Sequence, residues 1–94
     1  MPKPILKWRQ IAREDLLSII DYIADDSPAA AQSLKDDIEL KIARLPENPK
    51  LYRAGRAPGT REMTVRRNYV VVYAEDDLQI IVMSILHAAQ LWPN

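Results

Sequence analysis

The hydrophobic period of this chain switches once, near its middle, from steps of three and four to steps of two, and that switch limits the folds open to it. From Ile11 to Ala24 the residues Leu16, Ile19, Ile20 and Ile23 share one helical face, while Arg13, Glu14, Ser18 and Asp21 fall elsewhere. Asp25-Asp26-Ser27-Pro28 then breaks the chain, with Ser27 as an N-cap and Pro28 at the first helical position, where a missing N–H costs nothing. Ala31, Leu34, Ile38, Ile42 and Leu45 carry the spacing on until Pro46 and Pro49 stop it. Two helices joined by so short a turn make an antiparallel hairpin.

Strand signals flank the helices. Ile5, Leu6 and Trp8, among Lys7 and Arg9, predict a short first strand. Lys50 to Thr60 holds both glycines, Gly55 and Gly59, with Pro58, and reads as an irregular loop. Beyond it Met63 and Val65 alternate with Thr64 and Arg66. Arg67-Asn68 reads as a two-residue hairpin turn with Asn68 taking the left-handed conformation, and Tyr69 to Tyr73 follows as a strand. Glu75-Asp76-Asp77 is the next turn. Leu78 to Leu86 is apolar on both alternating faces, as a central strand would be. The expected class is α+β: a strand, an antiparallel helical hairpin, then a three-stranded antiparallel meander, with the helices packed on one face of the sheet. Leu16, Ile19, Ile20, Ile23, Leu34, Ile38 and Ile42 should face that sheet. With 94 residues and no linker or repeat, residues 1–94 read as one domain.

A chain of this length buries roughly 60 to 65% of its unfolded surface, so chemistry belongs on a surface groove rather than in a deep cavity. Cysteine is absent, which excludes disulfides and thiolate metal sites and suits a reducing cytoplasm. The one histidine is too few for a histidine-rich metal site. The longest apolar run, Ile80 to Leu86 interrupted by Ser84, falls short of the roughly 20 residues that cross a bilayer. Neither Ser18 nor Ser27 lies in a glycine elbow, and no phosphate-cradling glycine loop occurs. The acidic pairs Asp25-Asp26, Asp36-Asp37 and Asp76-Asp77 read as solvating groups at turns and on polar helical faces. The expectation is a cytoplasmic protein with no membrane contact, metal or cofactor.

A formal charge of zero hides an uneven distribution. Residues 49 to 67 carry six basic side chains, Lys50, Arg53, Arg56, Arg61, Arg66 and Arg67, against Glu62 alone. This island is either an anion-binding surface for nucleic acid or an acidic protein segment, or a solvated loop. Five arginines favour bidentate recognition of phosphate or carboxylate. His87 follows the last strand, where an imidazole can do acid–base work, bind a partner or serve as a hydrogen-bonded structural group. Trp8 and Trp92 stand outside the helical periods, as a packed lid or as anchors for a partner.

Asp15-Leu16 and Asp21-Tyr22-Ile23 on the first helix, Gly55-Arg56 with Gly59-Thr60-Arg61-Glu62-Met63, the strand Tyr69-Val70-Val71-Val72-Tyr73, and Ile85-Leu86-His87 with Trp92-Pro93 together resemble the RelE/ParE superfamily of bacterial toxins. The resemblance spans almost the whole chain and implies a single toxin domain of a type II toxin–antitoxin module, held inactive by a partly disordered antitoxin. It also implies that DNA is contacted only through the antitoxin complex. The superfamily divides into ribosome-dependent mRNA endonucleases of the RelE kind and DNA gyrase poisons of the ParE kind. The nucleases usually carry tyrosine or histidine, then arginine, at the start of the penultimate strand; here Tyr69 is followed by Val70. They also tend to be strongly basic, as binding ribosomal RNA favours. The resemblance therefore implies a ParE-like, non-enzymatic gyrase inhibitor that blocks replication, with Arg53, Arg56, Arg61, Arg66, Arg67 and Trp92 contacting the target or the antitoxin. The alternative is an mRNA endonuclease acting at the ribosome, with Arg56 and Arg61 on phosphate and His87 as general acid or base.

Overall fold

Both helices expected from the three-and-four spacing form, and the sheet they cover has five strands, one more than the four expected. The structure, a computed structural model, describes residues 2–89; Trp92, and with it any packing of Trp92 on Trp8, lies outside them. In chain order the elements are β1 (Ile5–Trp8), α1 (Gln10–Ala24), α2 (Pro28–Ala43), a 3-10 turn (Leu45–Glu47), β2 (Arg53–Ala54), β3 (Arg61–Val65), β4 (Tyr69–Glu75) and β5 (Gln79–His87). The spatial order is β1-β5-β4-β3-β2. β3, β4 and β5 form the expected antiparallel meander. β1 joins its far side in parallel to β5, so the apolar last strand is central, and β2, inside the segment expected to be irregular, adds an antiparallel edge beside β3.

Ser27 caps α2 by accepting the Ala30 N–H at 3.2 Å, and Pro28 opens the helix. Leu34, Ile38 and Ile42 of α2 and Ala12 and Leu16 of α1 are buried in one cluster with Met63, Val65, Val71, Tyr73, Ile80, Val82 and Ile85 of the sheet. Ile19, Ile20 and Ile23 pack against this cluster but remain half-buried. The opposite face of the sheet buries a second, smaller cluster of Val70, Val72 and Leu86, with Met83 against it.

A register shift between β4 and β5 at Val72/Tyr73 breaks the alternation of β5. Ser84 and Ile85 both turn toward α1, and the Asp15 carboxylate accepts the Ser84 hydroxyl at 2.7 Å and the Ile85 N–H at 3.0 Å. A bulge leaves a ladder donor without its strand partner, and here the helix supplies the acceptor. Asp15→Asn, which keeps the shape but loses the charge, should lower unfolding free energy by about 0.5 to 1.5 kcal/mol. A denaturant midpoint unchanged from the wild type would deny this anchor its role.

The β3–β4 connection departs from expectation. Val65 pairs with Tyr69, so the loop has three residues, Arg66 to Asn68, and the positive φ values fall on Arg66 (50°) and Arg67 (66°), not on Asn68. Left-handed backbone at two non-glycine residues is held by its surroundings. Arg66 reaches back to α2, its Nε donating to Asp37 at 2.6 Å and its Nη2 to Ser33 Oγ at 2.9 Å.

Candidate functional site

Strand alternation sends the arginines of the basic island to different places. Arg61 shares the helical face of β3 with Met63 and Val65, where its Nε lies 3.4 Å from the Glu75 carboxylate and its Nη1 donates to the Tyr52 carbonyl at 2.8 Å. Arg66 is tied to Asp37, so two of the five arginines hold the fold together on the covered side. Arg53, Arg56 and Arg67 reach the open face, where they line a groove of about 390 Å³ with Glu62, Thr64, Val70 and Ala88.

Glu62 organises this groove. Its residue is 3% exposed, and its carboxylate lies 3.2 Å from Arg53 Nη2 and 3.3 Å from Arg56 Nε while accepting the Arg56 backbone N–H at 2.8 Å. Burial by itself would raise its pKa; the Arg56 backbone and guanidinium donors and the charges of Arg56 and Arg53 outweigh that, and the carboxyl titrates below the ordinary glutamate value. The one acidic residue among the basic side chains of residues 49–67 is thus the centre of this groove. The signal was in the alternation: a glutamate two residues before Thr64 on β3, on the face opposite Met63, meets cations there or goes unpaired.

His87 stands elsewhere. It pairs with Tyr69 across β4 and β5, meets the Tyr69 ring edge-on at 5.6 Å between centroids, and accepts the Ala89 N–H on Nδ1 at 3.2 Å. With Ser18, Ile19, Tyr22 and Tyr69 it lines a groove of about 320 Å³ on the helical side. Arg61 pairs with Tyr73, four residues along β4 from Tyr69, which separates Arg61 from His87 by about 13 Å of strand. Arg56, Arg61 and His87 therefore occupy two faces and two ends of the sheet and do not converge. Among the described residues no group of three or more His, Cys, Asp or Glu side chains is arranged to hold a metal, and no helix is long and apolar enough to cross a membrane.

A further groove of about 410 Å³ runs between β1 and the helical hairpin, lined by Leu6, Trp8, Leu16, Leu17, Ile42 and Ala43 among others. Arg13 lies over the Trp8 ring, its guanidinium carbon 5.6 Å from the centroid, which fixes the indole along one wall. Leu17 on the rim is 59% exposed.

Comparison with known proteins agrees with this architecture. Residues 6–92 match the family model of the ParE toxin of the type II toxin–antitoxin system parDE. A curated relative, Toxin RelE2 of Caulobacter vibrioides, is 35% identical over 91 residues, covering 97% of this chain and 100% of the relative. Among solved structures, the chromosomal ParDE toxin–antitoxin system of P. aeruginosa contains a chain that superposes with a TM-score of 0.80 at 26% identity, over 90% of this chain and 96% of that one. The toxin–antitoxin complex RelBE2 of Mycobacterium tuberculosis shares the fold, with a TM-score of 0.59 at 19% identity over 96% of this chain and 97% of that one.

Proposed function

Because the chain belongs to the ParE toxin family of type II toxin–antitoxin systems, we propose that it is the toxin of such a module, acts by inhibiting DNA gyrase without cutting RNA, and is neutralised by a cognate antitoxin. The dispersal of Arg56, Arg61 and His87 is the observation that carries the non-nuclease reading. Cleaving a phosphodiester needs an acid or base and charge-stabilising donors aimed at one phosphate, and a single such donor is worth about 100- to 1000-fold in rate. Val70, 3% exposed, stands in the arginine groove where the nuclease pattern has a guanidinium. The antitoxin fits the groove between β1 and the hairpin, whose lining is largely apolar and also includes Arg13, Lys35 and Glu39. An ordering segment lays apolar side chains into such a groove and pairs its charges at the rim.

The name of the Caulobacter relative favours a second reading, a RelE-like mRNA endonuclease working at the ribosome. A purified assay separates the two. The toxin should inhibit gyrase supercoiling or raise the cleaved-DNA fraction, and His87→Ala should leave that inhibition within about twofold of wild type, the effect of a surface substitution. Cleavage of mRNA on isolated ribosomes, lost in His87→Ala while gyrase is unaffected, would establish the nuclease instead.

A further inference from the structure

The three arginines of the open face come from three segments: Arg53 from β2, Arg56 from the β2–β3 loop and Arg67 from the β3–β4 loop. The Glu62 side chain beneath them is 1% exposed, while those of Arg53 and Arg56 are 67% and 45% exposed. Glu62 thus anchors both guanidinium groups from inside the sheet and leaves them open to solvent. A guanidinium has five N–H donors, and the Glu62 contacts use one from each side chain. The groove therefore keeps ordered donors for a second anion, at little cost in side-chain entropy because two of its cations are already fixed.

Charge and lining together indicate which anion. Three arginines against one glutamate leave an excess of two positive charges in a chain of zero net charge. Nucleic-acid affinity is built from many neutralised phosphates, and two charges supply little of it. One or two carboxylates match the excess. Val70, Ala88 and Thr64 add short, largely apolar walls, which suit the aliphatic stem of a glutamate or the backbone of an extended peptide rather than a stacked base. We propose that this groove docks an acidic protein segment, with Arg53, Arg56 and Arg67 as its carboxylate contacts. On the toxin–antitoxin reading, on which the identity of the partner rests, the segment belongs to the antitoxin.

The test is fluorescence anisotropy of a labelled hexaglutamate peptide with the purified chain. Arg67→Asn keeps a residue that accepts left-handed backbone while removing the charge, and Arg53→Gln removes the other exposed guanidinium from the edge strand. Each should weaken binding about two- to fivefold, the size of a partly exposed ion pair, and the double variant about tenfold. Arg44→Gln, the same charge change outside the groove, should leave it unaltered, and raising salt should weaken wild-type binding. Equal binding by wild type and double variant, or an equal loss in Arg44→Gln, overturns the proposal. Tighter binding of a six-nucleotide oligothymidylate, lost in the same double variant, overturns it in favour of nucleic acid. Co-purification with the product of the adjacent gene gives a separate readout of the partner. Peptide binding with no antitoxin captured supports the site and removes the antitoxin as its occupant. An antitoxin complex alongside peptide binding that the double variant leaves intact removes the site alone.

Discussion

Ile38→Ala should cost this domain about 2 to 5 kcal/mol and lower its melting temperature by at least about 8 °C. Ile38 lies at the middle of the buried stripe of α2, between Leu34 and Ile42, and is 0% exposed. Its side chain belongs to the cluster that joins the hairpin to Met63, Val65 and Val71. Truncation removes three methyl or methylene groups from a site held on one side by a helix and on the other by a sheet, so the space closes only in part. Leu40, two residues away and 51% exposed, provides the contrast: Leu40→Ala should change stability by less than about 0.5 kcal/mol. Chemical denaturation of both variants checks the pair. Similar losses from the two would contradict the orientation of α2.

Glu62→Ala should destabilise the fold by about 1 to 3 kcal/mol, more than the exposed ion pairs of this surface would suggest. The cost comes mainly from the Arg56 backbone N–H, which loses its acceptor in a part-buried position. The two guanidinium groups, largely exposed, rehydrate and so do not add the full penalty of an abandoned buried charge. The pH dependence has a definite sign. A carboxyl whose folded pKa is lowered contributes stability above its unfolded value near 4.5 and loses it as the pH falls through the folded pKa. Glu62→Gln removes this contribution, so the gap in stability between wild type and Glu62→Gln should be widest near neutrality and shrink below about pH 4.5. A gap independent of pH would mean that the ionised carboxylate is not what holds the groove.

What the sequence made legible follows from how local each signal is. The helical stripes, the Ser27-Pro28 start and the meander are written in neighbouring residues, and they appear as the periods require. The parallel pairing of β1 with β5 joins segments about seventy residues apart, and no local period encodes it. The β3–β4 loop departs from the local signal: Asn68 is the residue that ordinarily takes positive φ, whereas the Arg66 contacts to Asp37 and Ser33 favour a different register. Charge was the least legible layer. Asp37 reads as a solvating acid in the sequence, and nothing local assigns Asp15 or Glu62 a partner. In the fold one receives the β5 bulge, one holds a turn arginine and one gathers the open-face arginines. The five arginines of the basic segment therefore give two structural arginines and a three-arginine groove rather than one continuous basic surface.

The most direct measurement of the proposed activity is made in cells shortly after the chain is induced without its antitoxin. Plasmid topology, induction of DNA-damage repair and the 5′ ends of ribosome-bound transcripts are followed in the same culture, for wild type and for His87→Ala. Gyrase inhibition predicts loss of negative supercoiling and an early repair response, equal in the two, with transcripts intact. Normal supercoiling together with new transcript ends at ribosomes, abolished by His87→Ala, would contradict it.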